Sequence, residues 1–89
     1  MSLRRVTIMA ASGLHARPAS LFTQAAGGCG VDVLVGREGG PAVDASSILM
    51  VMSLGIGHGD EVLLTSEDPD ADAALDRLAA MLATDLDAL

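Results

Sequence analysis

The chain has 89 residues, 51% of them apolar but only one of them aromatic, and it carries a net charge of −7 with five Lys and Arg in all. That balance argues against nucleic acid as a partner, because phosphate backbones demand basic surface and bases demand aromatic stacking platforms. A single cysteine, Cys29, leaves no internal disulfide and no several-cysteine metal site, and no apolar run approaches the ~20 residues that cross a bilayer. The expectation is one small domain over residues 1–89, soluble and cytoplasmic, with neither a secretory signal nor a metal or other cofactor.

Between Leu3 and Ala10, Val6, Ile8 and Ala10 alternate with Arg5, Thr7 and Met9, which predicts a first strand with one buried side. Ala11-Ser12-Gly13 then turns the chain. Pro18 lacks the N–H that a first helical turn cannot satisfy and has a helical φ already, so a helix is expected to begin at about Ala16. Ala19, Phe22 and Ala26 form its apolar face, and Gly27-Gly28 ends it. Val31, Val33 and Val35 alternate with Asp32 and Leu34 in a second strand, Gly36 to Pro41 reads as a turn, and Pro41-Ala42-Val43 as a short edge strand. Asp44 to Ser47 supplies capping residues for a short second helix from Ser47 to Ser53, after which Gly55, Gly57 and Gly59 interrupt the pattern. Val62 and Leu64 face away from Glu61, Leu63 and Thr65 in a last strand. A third helix is expected from Asp70 to Asp85, with Ala71, Ala74, Leu75, Leu78 and Leu82 on one face and Asp70 and Asp72 at the positive end of its dipole. The order β-α-β-β-α-β-α predicts an α+β fold in which three helices cover one face of a four-stranded, mostly antiparallel sheet.

Gly13-Leu14-His15-Ala16-Arg17-Pro18-Ala19-Ser20 concentrates the chemistry. The first amides of a helix have no internal acceptor and stand at the positive end of the macrodipole, so an anion at His15 would meet the amides of Ala16 and Arg17. The Arg17 guanidinium adds a planar fork of donors matched to phosphate oxygens. Such a turn is built to dock phosphate on a histidine.

Gly-Leu-His-Ala-Arg-Pro-Ala resembles the active-site signature of the HPr family, histidine phosphocarriers of bacterial sugar phosphotransferase systems. The stretch Ser47-Ile48-Leu49-Met50-Val51-Met52-Ser53-Leu54-Gly55-Ile56 is similar to the second signature of that family. Two motifs at the expected spacing, over essentially the whole chain, imply the family's open-faced β-sandwich. They also imply a phosphoryl group carried on Nδ1 of His15, contacted by Ala16, Arg17 and Ser12, received from enzyme I and passed to enzyme IIA domains. The same resemblance leaves open a sibling carrier for a nitrogen-related or dihydroxyacetone-phosphorylating branch. It aligns Ser47 with a serine that some relatives use for regulatory phosphorylation, although Ser46 and Met50 stand where those relatives often have lysine and glycine.

The second helix is apolar nearly all round. Ile48, Val51 and Leu54 are its expected core set, and Leu49 and Met52 its exposed residues. By resemblance the partner surface comprises Ala16, Ser20, Ile48, Leu49 and Met52, with Arg17 and His15 beside it. With Gln24, Ser46 and Met50 uncharged, docking is expected to be more apolar and less salt-sensitive than in lysine-rich relatives. A surface needed by successive partners argues for a monomer. Two other classes fit the residues less well. A small hydrolase using Arg17 and His15 would need a pocket and a second catalytic group, and a purely binding regulator would have no use for a histidine at position 15. His58 reads as a surface turn residue and Cys29 as a free thiol.

Overall fold

The alternation at the start of the chain produces strand β1 (Ser2–Thr7), followed by helix α1 (Ala16–Gly27), strands β2 (Leu34–Gly36) and β3 (Ala42–Asp44), helix α2 (Ile48–Ser53), strand β4 (Glu61–Ser66) and helix α3 (Asp72–Leu82). A 3₁₀ turn, Leu86–Ala88, closes the order. This is a computed structural model, and it describes residues 1–88. The strands form one sheet in the order β1-β4-β2-β3, every neighbouring pair antiparallel. Val6 stands opposite Val62 and Val35 opposite Leu64, so one face of the sheet is continuously apolar. Against it pack Phe22 of α1, Val51 of α2 and Leu75, Leu78 and Leu82 of α3, all buried. Leu3 and Leu34 lie on the uncovered face and are exposed.

The elements are shorter than the sequence predicts, for identifiable reasons. The first strand, expected to reach Ala10, leaves the ladder after Thr7, because its partner β4 begins at Glu61. Ile8 and Ala10 stay buried on the same side, while the Ile8 amide donates to the Asp60 carbonyl (2.8 Å) and the Met9 amide to the Leu82 carbonyl (3.1 Å). β2 starts only at Leu34 although Val33 is already buried and its carbonyl still accepts the Ala45 amide at 2.9 Å. The third helix does not begin at Asp70. Asp68 bends the preceding segment into a turn of its own, its carboxylate accepting from the Asp70 amide (2.8 Å) and its carbonyl from the Ala71 amide (3.2 Å). At the other end the helix stops at Leu82, and the 3₁₀ turn that follows buries Leu86. Arg4 ties α3 to β1, with Nε 2.6 Å from Asp76 and Nη2 3.4 Å from Asp72.

Ile48 corrects the expectation for α2. It is 40% exposed, Leu54 is half-buried, and Val51 alone is fully inside. A helix of six residues presents too short a face to the body of the protein to bury more.

Candidate functional site

Two residues fix the loop before α1 and leave the third free. Gly13 has φ +72° and lies so close to the following loop that a Cβ would stand 2.3 Å from the Ile56 carbonyl oxygen. That contact and that backbone conformation both require glycine. Leu14 is fully buried and donates its amide to the same Ile56 carbonyl at 3.0 Å. With Leu14 driven inward, His15 is delivered to the rim of the fold, half-buried and in extended conformation (φ −128°, ψ 161°) as the N-cap of α1. Histidine is a poor cap, and here its ring does not cap at all, since neither nitrogen is hydrogen-bonded among the described residues.

The amides that follow are equally uncommitted. Those of Ala16 and Arg17 find no acceptor among the described residues, Pro18 has none to offer, and Ala19 is the first to close back, reaching the His15 carbonyl at 3.5 Å. Ala16 is the one described non-glycine residue with positive φ, +49°, a left-handed conformation that costs an alanine roughly 1–2 kcal/mol. Nothing in the sequence signals this strain. Arg17 is exposed and makes no hydrogen bond or ion pair among the described residues, so its donors face solvent.

Ser12 is placed differently. Its amide and its hydroxyl both donate to Asp87 Oδ2, at 2.8 Å each, and the neighbouring Ala11 amide donates to Asp85 Oδ1 at 3.4 Å. These bonds hold the Asp87 carboxyl below the usual carboxylate range, the Ser12 amide contributing most, the Ser12 hydroxyl next, and the positive field of Arg17 adding to them. The donors expected to face His15 are therefore engaged by a carboxylate from the C-terminal turn, a contact that sequence reading missed.

The loop that receives Leu14 has its own staple, likewise unforeseen. Arg37, from the turn after β2, donates from Nη1 to the Leu54 carbonyl (2.6 Å) and from Nη2 to the Gly55 carbonyl (2.9 Å) and Asp60 Oδ2 (3.0 Å). The same Asp60 oxygen accepts the Gly57 amide at 2.8 Å. The Gly57 amide first, and the Arg37 guanidinium second, keep the Asp60 carboxyl below its ordinary range. Arg37 thus closes the C-terminal end of α2 and braces the Ile56 carbonyl on which the His15 loop hangs.

Helix α2 packs beside α1 and turns Leu49 (79% exposed), Met50, Ile48 and Met52 to solvent. Ala16 is exposed and Ser20 half-buried, its hydroxyl accepting from Gln24 Nε2 at 3.0 Å. Ser47 is the N-cap of α2, half-buried, its Oγ accepting from the Met50 amide at 3.4 Å. Ser46 is exposed and donates to Asp44 instead. His58 is exposed in its turn, with Nδ1 3.3 Å from the Ala10 carbonyl, and the half-buried Cys29 thiol donates to the Ala26 carbonyl at 3.1 Å. Three clefts open elsewhere, beside Asp32 and Ser66, beside Asp44 and Ser46, and between α1 and α3 at Cys29, and neither His15 nor Arg17 lines any of them. No three His, Cys, Asp or Glu side chains converge as a metal-binding group among the described residues, and no described helix is long and apolar enough to cross a membrane.

The chain and its fold have known counterparts. Residues 3–84 match the family model of the PTS HPr component phosphorylation site. The chain belongs to the HPr family. It is 46% identical to the phosphocarrier protein HPr of Streptomyces coelicolor over all of this chain and 96% of that one, and 40% identical to the HPr-like protein Crh of Bacillus subtilis over 90% and 93%. The crystal structure of HPr from Bacillus anthracis superposes with a TM-score of 0.84 at 41% identity, covering 91% of this chain and 95% of that one. As an HPr, the chain is a phosphocarrier of the phosphotransferase system, and its open-faced sandwich is the one that the resemblance implied.

Proposed function

We propose that His15 accepts a phosphoryl group from phosphorylated enzyme I and hands it to enzyme IIA domains of a sugar uptake system. The observation that carries this reading is the ring of His15, unbonded among the described residues, in front of the Ala16 and Arg17 amides, which find no acceptor among them either. In the forward step the Nδ1 lone pair attacks phosphorus, the bond from phosphorus to the donor atom of enzyme I breaks, and its electron pair stays with the donor. The proton on Nε2 of His15 stays where it is. Transfer onward is the same exchange with His15 as the leaving ring. The phosphoryl oxygens take up the Ala16 and Arg17 amides and the Arg17 guanidinium, contacts enough to orient the group yet exposed enough to release it. No pocket is needed, because each partner brings the other half of the site.

Those partners dock on Ala16, Ser20, Ile48, Leu49 and Met52, where exposed, adaptable apolar side chains surround the histidine's helix. The protein works as a cytoplasmic monomer in this scheme. A phosphate on Ser47, the cap of α2, would set negative charge beside that surface and weaken docking, which would make it a point of control. The test is to incubate the protein with phosphoenolpyruvate and purified enzyme I and to look for one acid-labile phosphate on His15. In His15→Ala the label should vanish while thermal stability stays within about 0.5 kcal/mol, as expected of a side chain with no hydrogen bond among the described residues. A label retained by that variant would end this reading.

A further inference from the structure

The C-terminal 3₁₀ turn brings a carboxylate to the loop that carries His15, and carboxylate and phosphoryl oxygens compete for the same donors. Asp87 Oδ2 accepts the Ser12 amide and the Ser12 hydroxyl at 2.8 Å each, three residues ahead of the proposed acceptor. Arg17 is near enough for its field to favour the ionised Asp87 side chain. Asp87 is itself exposed, so no packing role accounts for this carboxylate.

We propose that Asp87 is a positioning residue, a resident anion that holds the Ser12 donors in the unphosphorylated protein and yields them to the phosphoryl group when His15 is charged. The negative charge left beside the phosphohistidine then makes the group easier to give away. The inference rests on His15 being the acceptor, and it assigns Ser12 a phosphate contact only in the phosphorylated state.

Asp87→Asn separates charge from geometry, because its amide oxygen still accepts from Ser12. The measurement is the equilibrium fraction of full-length protein phosphorylated on His15 with enzyme I at a fixed ratio of phosphoenolpyruvate to pyruvate, alongside the NMR shift of the Ser12 amide. Removing one charge near a dianion should raise the phosphorylation equilibrium constant about three- to tenfold in Asp87→Asn, an increase that shrinks in about 1 M salt. Ser12→Ala should lower it, and the Ser12 amide of the wild type should shift on phosphorylation. A purely structural clasp would leave Asp87→Asn at the wild-type constant, and that result overturns the proposal, as does an unmoved Ser12 amide. A wild-type protein that takes no label on His15 would instead defeat the functional reading beneath it.

Discussion

Helices α1 and α2 begin in opposite ways. Each follows an extended residue, His15 in one and Ser47 in the other. Ser47 turns its hydroxyl back onto the Met50 amide and its carbonyl accepts the Val51 amide, so α2 has a side-chain cap. At α1 the capping position holds a ring that caps nothing among the described residues, a left-handed alanine follows, and Pro18 stands where Met50, the amide that Ser47 caps, stands in α2. The difference teaches that a binding end of a helix is made by withholding the cap, and that the stability forgone there must come from neighbours: Gly13 and Leu14 clamped to Ile56, Ile56 braced through Arg37 and Asp60.

The contrast can be broken most severely at Gly13. An alanine there adds left-handed strain and a collision with the Ile56 carbonyl, and Gly13→Ala should lose about 3 kcal/mol or more in urea unfolding. Arg17→Ala should leave the melting temperature unchanged, because its side chain is exposed and makes no bond among the described residues, yet slow phosphoryl uptake about ten- to hundredfold through loss of a charged hydrogen-bonding partner. The self-capped end gives the reverse pattern: Ser47→Ala should cost about 1 kcal/mol of stability while labelling on His15 proceeds as before.

Acid should act through the clasps. Asp44, Asp60, Asp72 and Asp87 all have carboxyls lowered in the folded state, by Ser46, by the Gly57 amide and Arg37, by Ser2 and Arg4, and by Ser12 respectively. A depressed folded value means stabilisation that is fully present above the unfolded carboxyl range, near pH 4, and lost as pH falls through the lower folded values. Unfolding followed from about pH 5 downwards should show this decline, and Asp60→Asn should make it shallower. The smallest effect concerns salt. With Leu49, Met50 and Met52 exposed and Arg17 the one cation of the motif, partner affinity should change less than about threefold between low and moderate salt, and a steep fall would show that docking is chiefly ionic.

Residues close in sequence were the readable ones. Pro18 and the Gly27-Gly28 pair announced where α1 starts and stops, and the alternation of Val6, Ile8 and Ala10 and of Val62 and Leu64 announced which face the first and last strands bury. Ile48 was misplaced because periodicity cannot say how much of a short helix the body of the protein will cover. The start of α3 was misplaced because Asp68 competes for the backbone as a turn former, a local contest that apolar spacing does not register. Asp87 was invisible as a partner of Ser12 for a different reason: 75 residues separate them, and Asp87 lay beyond the last predicted element, which ended at Asp85.

Taken alone, the chain of residues determined the order of elements, the buried face of the first and last strands and the histidine-arginine turn at the head of the first helix, since all three are written in spacings of a few residues. Only the tertiary structure decided that the ring of His15 would go unbonded among the described residues, that Ala16 would be held left-handed and that a distant aspartate would occupy Ser12. Those outcomes depend on which surfaces meet when the sheet closes under its helices, and steric and hydrogen-bond competition of that kind has no counterpart in a linear pattern.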